Sequence, residues 1–374
     1  MPNSQKHLVF VTGTRADFGK MEPLAIAARD AGYRVTFFVT GMHMMQRYGL
    51  TKIEVQRVTG VEIAEFINQR EGDPQDLILS KTVLGFSDFI RESQPDLVVI
   101  HGDRVEALAC SLVCATNYVR CAHIEGGEVS GTIDEIFRHC NSKLAAAHFV
   151  SSENAKSRVM ALGEAPETIY TIGSPELDAH GAPTGISLEQ VKTRYEIPFD
   201  DYGIVTFHPV TSETKTMGQQ ARDLFSALDQ SGKNFVVILP NNDPGSAEIF
   251  DAIAKLPADR FRQIPSMRFL YFSELLRNAK ALIGNSSAGV REAPFLGVPS
   301  LDVGTRQTNR SNAPSITQTA ANDRDKIAAF FATSWGQKFD ADTGFGGGDT
   351  AKRFVDVLND DTFWDRSLQK TFVD

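Results

Sequence analysis

The chain has 374 residues, with 38 Lys and Arg against 47 Asp and Glu and a formal net charge of −9, so two domains are expected rather than one core. The acidic balance disfavours a nucleic-acid partner, and no apolar run approaches the roughly 20 residues that span a bilayer. Met1 to Lys6 leads into an apolar run too short and wrongly flanked for a signal peptide, so a cytoplasmic protein is expected.

Short β-branched runs alternate with helical segments. His7–Thr12 (HLVFVT) reads as a buried strand, and 20–31 as a helix closed by Gly32. Val35–Thr40 is the next strand, 76–92 a helix, and Leu97–His101 a strand after Pro95. A helix over 105–116, a strand over 121–125, a helix over 134–146 and a strand over 148–151 complete the first series. Cys110 and Cys114, one helical turn apart in an apolar stretch, and Cys121 and Cys140 form no C-x-x-C pair, so reduced, buried thiols are expected instead of a metal or disulfide. The Gly- and Pro-rich GAPTG at 181–185 and the turn at 198–202 interrupt the pattern. A second series follows, with strands at 204–207, 235–239, 281–284 and 299–303. Continuous apolar strands separated by helices predict parallel sheets covered on both faces, in two doubly wound α/β halves joined near 180–200. Ligands of such sheets bind outside the carboxyl ends of the strands.

The chemistry-bearing residues cluster at those ends. Thr12-Gly13-Thr14-Arg15-Ala16-Asp17-Phe18-Gly19 after the first strand serves equally as a tight turn or a binding loop, and its spacing is not G-x-G-x-x-G. His101-Gly102-Asp103-Arg104 places a carboxylate beside a guanidinium, although Asp103 could simply cap the next helix. His123-Ile124-Glu125-Gly126-Gly127-Glu128 ends the next strand, and Asp134, Glu135, Arg138 and His139 open the following helix. Three acidic clusters on adjoining loops suit general acid/base work, since crowding pushes carboxylate pKa values apart. In the second half, His208 in F-H-P is as well explained by a satisfied core histidine. Pro240 to Ser246 ends another strand. Gly284-Asn285-Ser286-Ser287-Ala288-Gly289, then Val290-Arg291-Glu292, puts small residues at a helix start that can cradle phosphate oxygens or hold an ordinary serine cap. Arg306, in G-T-R-Q, could neutralise a diphosphate.

Together T-G-T-R-A-D-F-G, H-G-D-R, H-I-E-G-G-E, S-G-T-I-D-E-x-x-R-H, F-H-P, P-N-x-D-x-G-S, G-N-S-S-x-G-V-R-E and G-T-R-Q resemble the hydrolysing UDP-N-acetylglucosamine 2-epimerases, in the family's order over roughly residues 8 to 310. H-I-E-G-G-E is typical of the hydrolysing branch. The resemblance implies the GT-B architecture, two Rossmann-like domains flanking a substrate cleft: 1–180 with the catalytic carboxylates, 200–355 binding UDP, and a helix over 356–374 packing back on the first. It implies Asp103, Glu125 and Asp134 as catalytic carboxylates, with His208 beside them. Arg15, Arg104 and His208 would line the UDP-sugar cleft, and Gly19, His43, Glu128 and Arg138 would also bind the substrate. Asn241 and Asp243 would lie in the nucleotide loop, Ser286, Ser287, Gly289 and Arg306 on the diphosphate, and Glu292 on the ribose. No metal and no cofactor is implied. The expected partner is a nucleotide sugar and the expected assembly a homo-oligomer, dimer or tetramer, with neither nucleic acid nor membrane.

The implied reaction eliminates UDP from C1 as a base takes the C2 proton. Hydration of the resulting glycal from the opposite face then gives free N-acetylmannosamine, for sialic acid-type synthesis. Rival readings are the same reaction on a UDP- or GDP-linked 2,4-diacetamido-2,4,6-trideoxy sugar (legionaminic acid type), a non-hydrolysing epimerase, a GT-B glycosyltransferase, and a regulatory protein that binds a nucleotide sugar without turnover. Fold alone does not separate them.

Overall fold

The computed structural model describes residues 5–46, 49–129, 133–181, 183–240, 245–371 and 373; the side chains of 133, 134 and 211 also lie outside the description. The chain divides into two compact units, 1–178 with 346–374, and 179–345. Each carries one all-parallel sheet, as the alternation of buried strands and helices predicts.

In the first unit the strands are β1 (His7–Thr12), β2 (Arg34–Val39), β3 (Glu62–Glu65), β4 (Leu97–His101), β5 (Cys121–Ile124), β6 (Ala147–Val150) and β7 (Ile169–Thr171). Their order is β3-β2-β1-β4-β5-β6-β7. Both faces are buried. Leu8, Phe10, Phe37, Leu97, Val99, Ile124 and Phe149 pack on one side against the helices Arg15–Asp30 and Thr350–Leu358. Val9, Val11, Phe38, Val98 and Ile100 pack on the other against Phe86, Ile90, Ala107 and Cys110. This two-faced alternation is why the strands read as unbroken apolar runs. All four cysteines are free thiols, and Cys110, Cys114 and Cys121 are buried.

The second unit has β8 (Gly203–Thr206), β9 (Phe235–Ile238), β10 (Phe261–Ile264), β11 (Leu282–Gly284), β12 (Ser300–Val303) and β13 (Ile316–Thr319) in the order β10-β9-β8-β11-β12-β13. Val205, Phe235, Val237, Ile283 and Leu301 face one core, and Ile204, Val236 and Leu282 the other.

The four strands the sequence did not predict, β3, β7, β10 and β13, are the four sheet edges. Each is three or four residues long and part-exposed, so it lacks the apolar run that marks a central strand. The first helix also begins earlier than the expected residue 20. Thr14 and Asp17 form a capping box that starts it at Arg15.

The C-terminal segment is fastened to the first unit by non-local bonds. Asp178 accepts the first amides of the helix Thr350–Leu358, from Thr350 N at 2.8 Å and Ala351 N at 2.6 Å. Lys370 Nζ reaches the carbonyls of Ser142, Lys143 and Ala145 at the end of the helix Ile133–Leu144. Among the described residues no helix is long and apolar enough to cross a membrane.

Candidate active site

Glu125 is the first residue beyond β5, and its backbone sits in the left-handed region at φ 63°. A non-glycine residue held there costs roughly 1–3 kcal/mol, a strain found at functional positions. The bond from Glu125 N to Phe149 O, 3.0 Å, ties that backbone to the neighbouring strand. The residue is only 5 % exposed. Lys20 Nζ, in the second turn of the first helix, donates to Oε1 at 2.8 Å and Oε2 at 2.9 Å, and lies 3.5 Å from Glu176. Ser174 Oγ donates to Oε1 at 3.2 Å. His101 Nε2 stands 3.3 Å from Oε2 without the alignment of a hydrogen bond. A buried carboxylate is thus gripped by an ammonium and a hydroxyl, with an imidazole close by.

Sequence reasoning passed over Lys20, Ser174 and Glu176. The signal for Lys20 was its place one turn before Leu24 on the buried face of the helix, where an ammonium demands an acidic partner. Nothing local marks Ser174 or Glu176.

Asp103 lies one strand away, in the loop after β4. Gly102, at φ 65°, turns the chain there, and its carbonyl accepts from His123 Nε2 at 2.8 Å and Asn141 Nδ2 at 3.0 Å. His123 is fully buried, which pushes its ring down to about 3, so it holds the loop as a neutral donor. The Asp103 carboxylate pairs with the Arg138 guanidinium, which also donates to Glu128 O at 3.1 Å. Arg138 therefore fastens the two acidic loops together. Glu128 itself is buried and accepts from Ser151 Oγ.

The structure also places the other residues expected to bind substrate. Arg15 is exposed and paired with Glu54, Nε to Oε2 3.2 Å. Arg104 stands 3.5 Å from the buried Glu106, and the face at Gly19 is open. His43 requires a correction, because it is wholly buried with both ring nitrogens engaged, Nε2 with Thr12 Oγ1 at 2.9 Å and Nδ1 with Thr51 Oγ1 at 2.8 Å. It braces the loops after β1 and β2 and offers a ligand no atom. Asp134 falls in the first turn of the helix Ile133–Leu144. The Asp134 side chain and residues Asn241 and Asp243 lie outside the described residues. Among the described residues no three His, Cys, Asp or Glu side chains gather as a metal-binding set.

In the second unit the loops after β8 and β11 are zipped together. His208 N donates to Asn285 Oδ1 at 2.7 Å, and Asn285 Nδ2 donates back to His208 O at 2.8 Å. Asn285 O in turn accepts from Arg306 at 3.1 Å and Gln307 Nε2 at 2.9 Å. Asn285, given no role of its own by the sequence motif, is thus the joint of these loops. Burial, then the nearby Arg306 charge, pushes the His208 ring down to about 3. The ring is therefore neutral near pH 7.

The expected helix start after β11 is a 3-10 turn, Ser287–Gly289, followed by one α-turn, Glu292–Phe295. Elements this short carry little macrodipole, so the expected helix-dipole contribution at this loop is small. Ser286 caps the turn, its Oγ accepting from Ala288 N at 3.4 Å, and Ser286 and Ser287 stay part-exposed. A Cβ on Gly289 would lie 2.8 Å from Ser300 Oγ, so the turn packs directly on β12. Glu292, in the α-turn, is buried against His180, Nε2 to Oε1 3.1 Å.

A family model described as UDP-N-acetylglucosamine 2-epimerase matches residues 26–359. A protein of Neisseria meningitidis serogroup B named UDP-N-acetylglucosamine 2-epimerase is 45 % identical over 373 residues, 99 % of each chain. One from Legionella pneumophila, named UDP-N,N'-diacetylbacillosamine 2-epimerase (hydrolyzing), is 30 % identical over 83 % of this chain and 84 % of its own. Among solved structures, UDP-GlcNAc 2-epimerase of Methanocaldococcus jannaschii, in complex with UDP-GlcNAc and UDP, matches with a TM-score of 0.78 over 94 % of this chain and 99 % of that one. At 19 % identity it bears on the fold alone.

Proposed function

The chain belongs to the UDP-N-acetylglucosamine 2-epimerase family, and from that premise we propose that it acts as a hydrolysing enzyme, converting UDP-N-acetylglucosamine and water to N-acetylmannosamine and UDP. The observation that carries this reading is the strained, buried Glu125 gripped by Lys20 and Ser174, one strand from the Asp103–Arg138 pair. Abstraction of a proton beside no carbonyl requires a base held against its target, and its departure must be matched by loss of the leaving group.

A carboxylate takes the C2 proton. The C1–O bond breaks with its electron pair left on the diphosphate, and a C1–C2 double bond forms. Water then adds hydroxyl to C1, and a proton reaches C2 from the opposite face, inverting it. Asp103, Glu125 and Asp134 share these proton transfers. In the second unit, Ser286, Ser287 and Arg306 neutralise the departing diphosphate, with His208 as a neutral donor and Glu292 accepting from the ribose. Arg104 and Arg138 orient the sugar side. The free sugar suits nonulosonic acid synthesis of the sialic type.

Two relatives about 30 % identical, from Legionella pneumophila and Campylobacter jejuni, are named as hydrolysing epimerases of diacetylbacillosamine nucleotides. They support a second reading in which such a sugar replaces UDP-N-acetylglucosamine; the 45 % identical relative favours the first. The test is incubation in heavy water with UDP-N-acetylglucosamine and, separately, UDP- and GDP-linked diacetamido sugars, followed by mass spectrometry and NMR. UDP and free N-acetylmannosamine bearing deuterium at C2 are expected. A product that retains UDP overturns the hydrolysing reading, and one without deuterium at C2 overturns the elimination.

A further inference from the structure

His180 lies in the one-turn helix Asp178–Gly181 and belongs to the second unit, where no part of the proposed chemistry uses it. It is 2 % exposed and fully engaged. Nε2 meets Glu292 Oε1 at 3.1 Å, and Nδ1 meets Ser273 Oγ, in the helix Phe269–Arg277, at 2.7 Å. Its backbone is pinned as well, because Arg277 donates to His180 O at 2.7 Å, and Phe269 packs edge-on against the ring, centroids 5.2 Å apart. A carboxylate can only accept, so Nε2 carries the proton, and in the neutral ring Nδ1 accepts from the Ser273 hydroxyl. This relay fixes the ring tautomer, and the ring fixes one oxygen of Glu292.

We propose that His180, set by Ser273, is the positioning residue that orients Glu292 so that Oε2 accepts from a ribose hydroxyl, and thereby selects ribonucleotide over deoxyribonucleotide substrates. The inference rests on the assignment of Glu292 to the ribose in the proposed function. Glu292 is 6 % exposed and His180 less, so a nucleotide would meet the carboxylate and not the imidazole. With Oε1 committed, the carboxylate cannot rotate away when the site is empty. Its direction is thus in place before the nucleotide arrives, which removes an ordering cost from binding. A buried acceptor aimed at a hydroxyl also discriminates strongly against an analogue lacking it, because the analogue leaves that acceptor unpaired.

The test measures affinities of the full chain for UDP, 2′-deoxy-UDP and 3′-deoxy-UDP by calorimetry, in the native protein, His180→Asn, His180→Gln, Ser273→Ala and Glu292→Ala. An asparagine amide can still meet Ser273 but falls short of Glu292, whereas a glutamine amide reaches it. In native protein, UDP is expected to bind roughly tenfold or more tighter than one of the deoxy analogues. That ratio should collapse towards one in His180→Asn, as in Glu292→Ala, return in His180→Gln, and fall partway in Ser273→Ala. A general loss of folding would lower all three affinities together and leave the ratio alone. A native ratio in His180→Asn, with the ratio lost in Glu292→Ala, overturns the positioning role. A native ratio in Glu292→Ala overturns the ribose assignment itself and this inference with it, and UDP release with epimerisation would still be judged by the heavy-water experiment. Should His180→Asn fail to fold, Ser273→Ala decides, and an unchanged ratio there refutes the relay.

Discussion

Lys20 serves two carboxylates at once, Glu125 at 2.8 Å and Glu176 at 3.5 Å, all three part- or fully buried. Removing the ammonium as Lys20→Met takes from both buried carboxylates a cation that they share. At an effective dielectric of 20 the nearer contact alone is worth about 6 kcal/mol of attraction, but desolvation offsets much of it. Breaking one side of a buried pair costs about 3–5 kcal/mol, and the 18 % side-chain exposure of Lys20 places this case near 3 kcal/mol. Glu125→Gln behaves oppositely. Lys20 keeps Glu176, the cluster becomes neutral, and stability should change by less than about 1 kcal/mol, while turnover falls by roughly a hundredfold or more if Glu125 moves protons. The chain has two tryptophans. Trp364 packs on the core of the first unit and Trp335 on that of the second. Urea unfolding in a Trp335→Phe background, followed by Trp364 fluorescence, therefore reports the unit that holds Glu125. The Lys20→Met, Glu125→Gln double variant should be more stable than Lys20→Met alone, with a coupling of about 1.5 kcal/mol or more. A Lys20→Met protein within 1 kcal/mol of native, or strictly additive changes, would refute the account of a shared cation; unimpaired turnover in Glu125→Gln would refute its catalytic role.

Three further outcomes follow from the geometry. His123 titrates near 3 when folded against 6.5 in its ordinary state; the unfolded chain takes up that proton first, so the first unit should lose about 1.4 kcal/mol per pH unit below 6.5, and His123→Gln should flatten the pH dependence of urea unfolding between 6.5 and 4.5. Asp302, buried on β12 and raised from 3.8 to about 6, chiefly by burial, is destabilising once ionised. Its penalty is absent below 3.8 and complete above 6, so Asp302→Asn should stabilise the second unit at pH 7.5 by up to roughly 3 kcal/mol and change little at pH 4; a lower melting temperature at pH 7.5 would contradict this. Gly284 sits at φ 130° with a Cβ position 2.1 Å from Thr206 O, so Gly284→Ala should cost about 3 kcal/mol or more, read as an early Trp335 unfolding transition.

The sequence by itself determined the central strands. In both sheets each is buried on two faces, so its apolar run is continuous and needs no tertiary information to recognise. It also placed Asp103 after β4 and Glu125 after β5, because a residue that follows a parallel strand must lie at the sheet's carboxyl edge. Edge strands escaped, since they are short and only partly buried, so they lack a continuous apolar run. Which side chains meet at those edges was decided only by the fold. Lys20 and Glu125 are 105 residues apart, and His180 and Glu292 are 112 apart. The strand order of each sheet, not any local spacing, brings them together. The same order buried His43, whose neighbours in sequence look like a sugar-side loop, between Thr12 and Thr51. Local composition reports how much of a residue must be covered, and only the packed chain says by what.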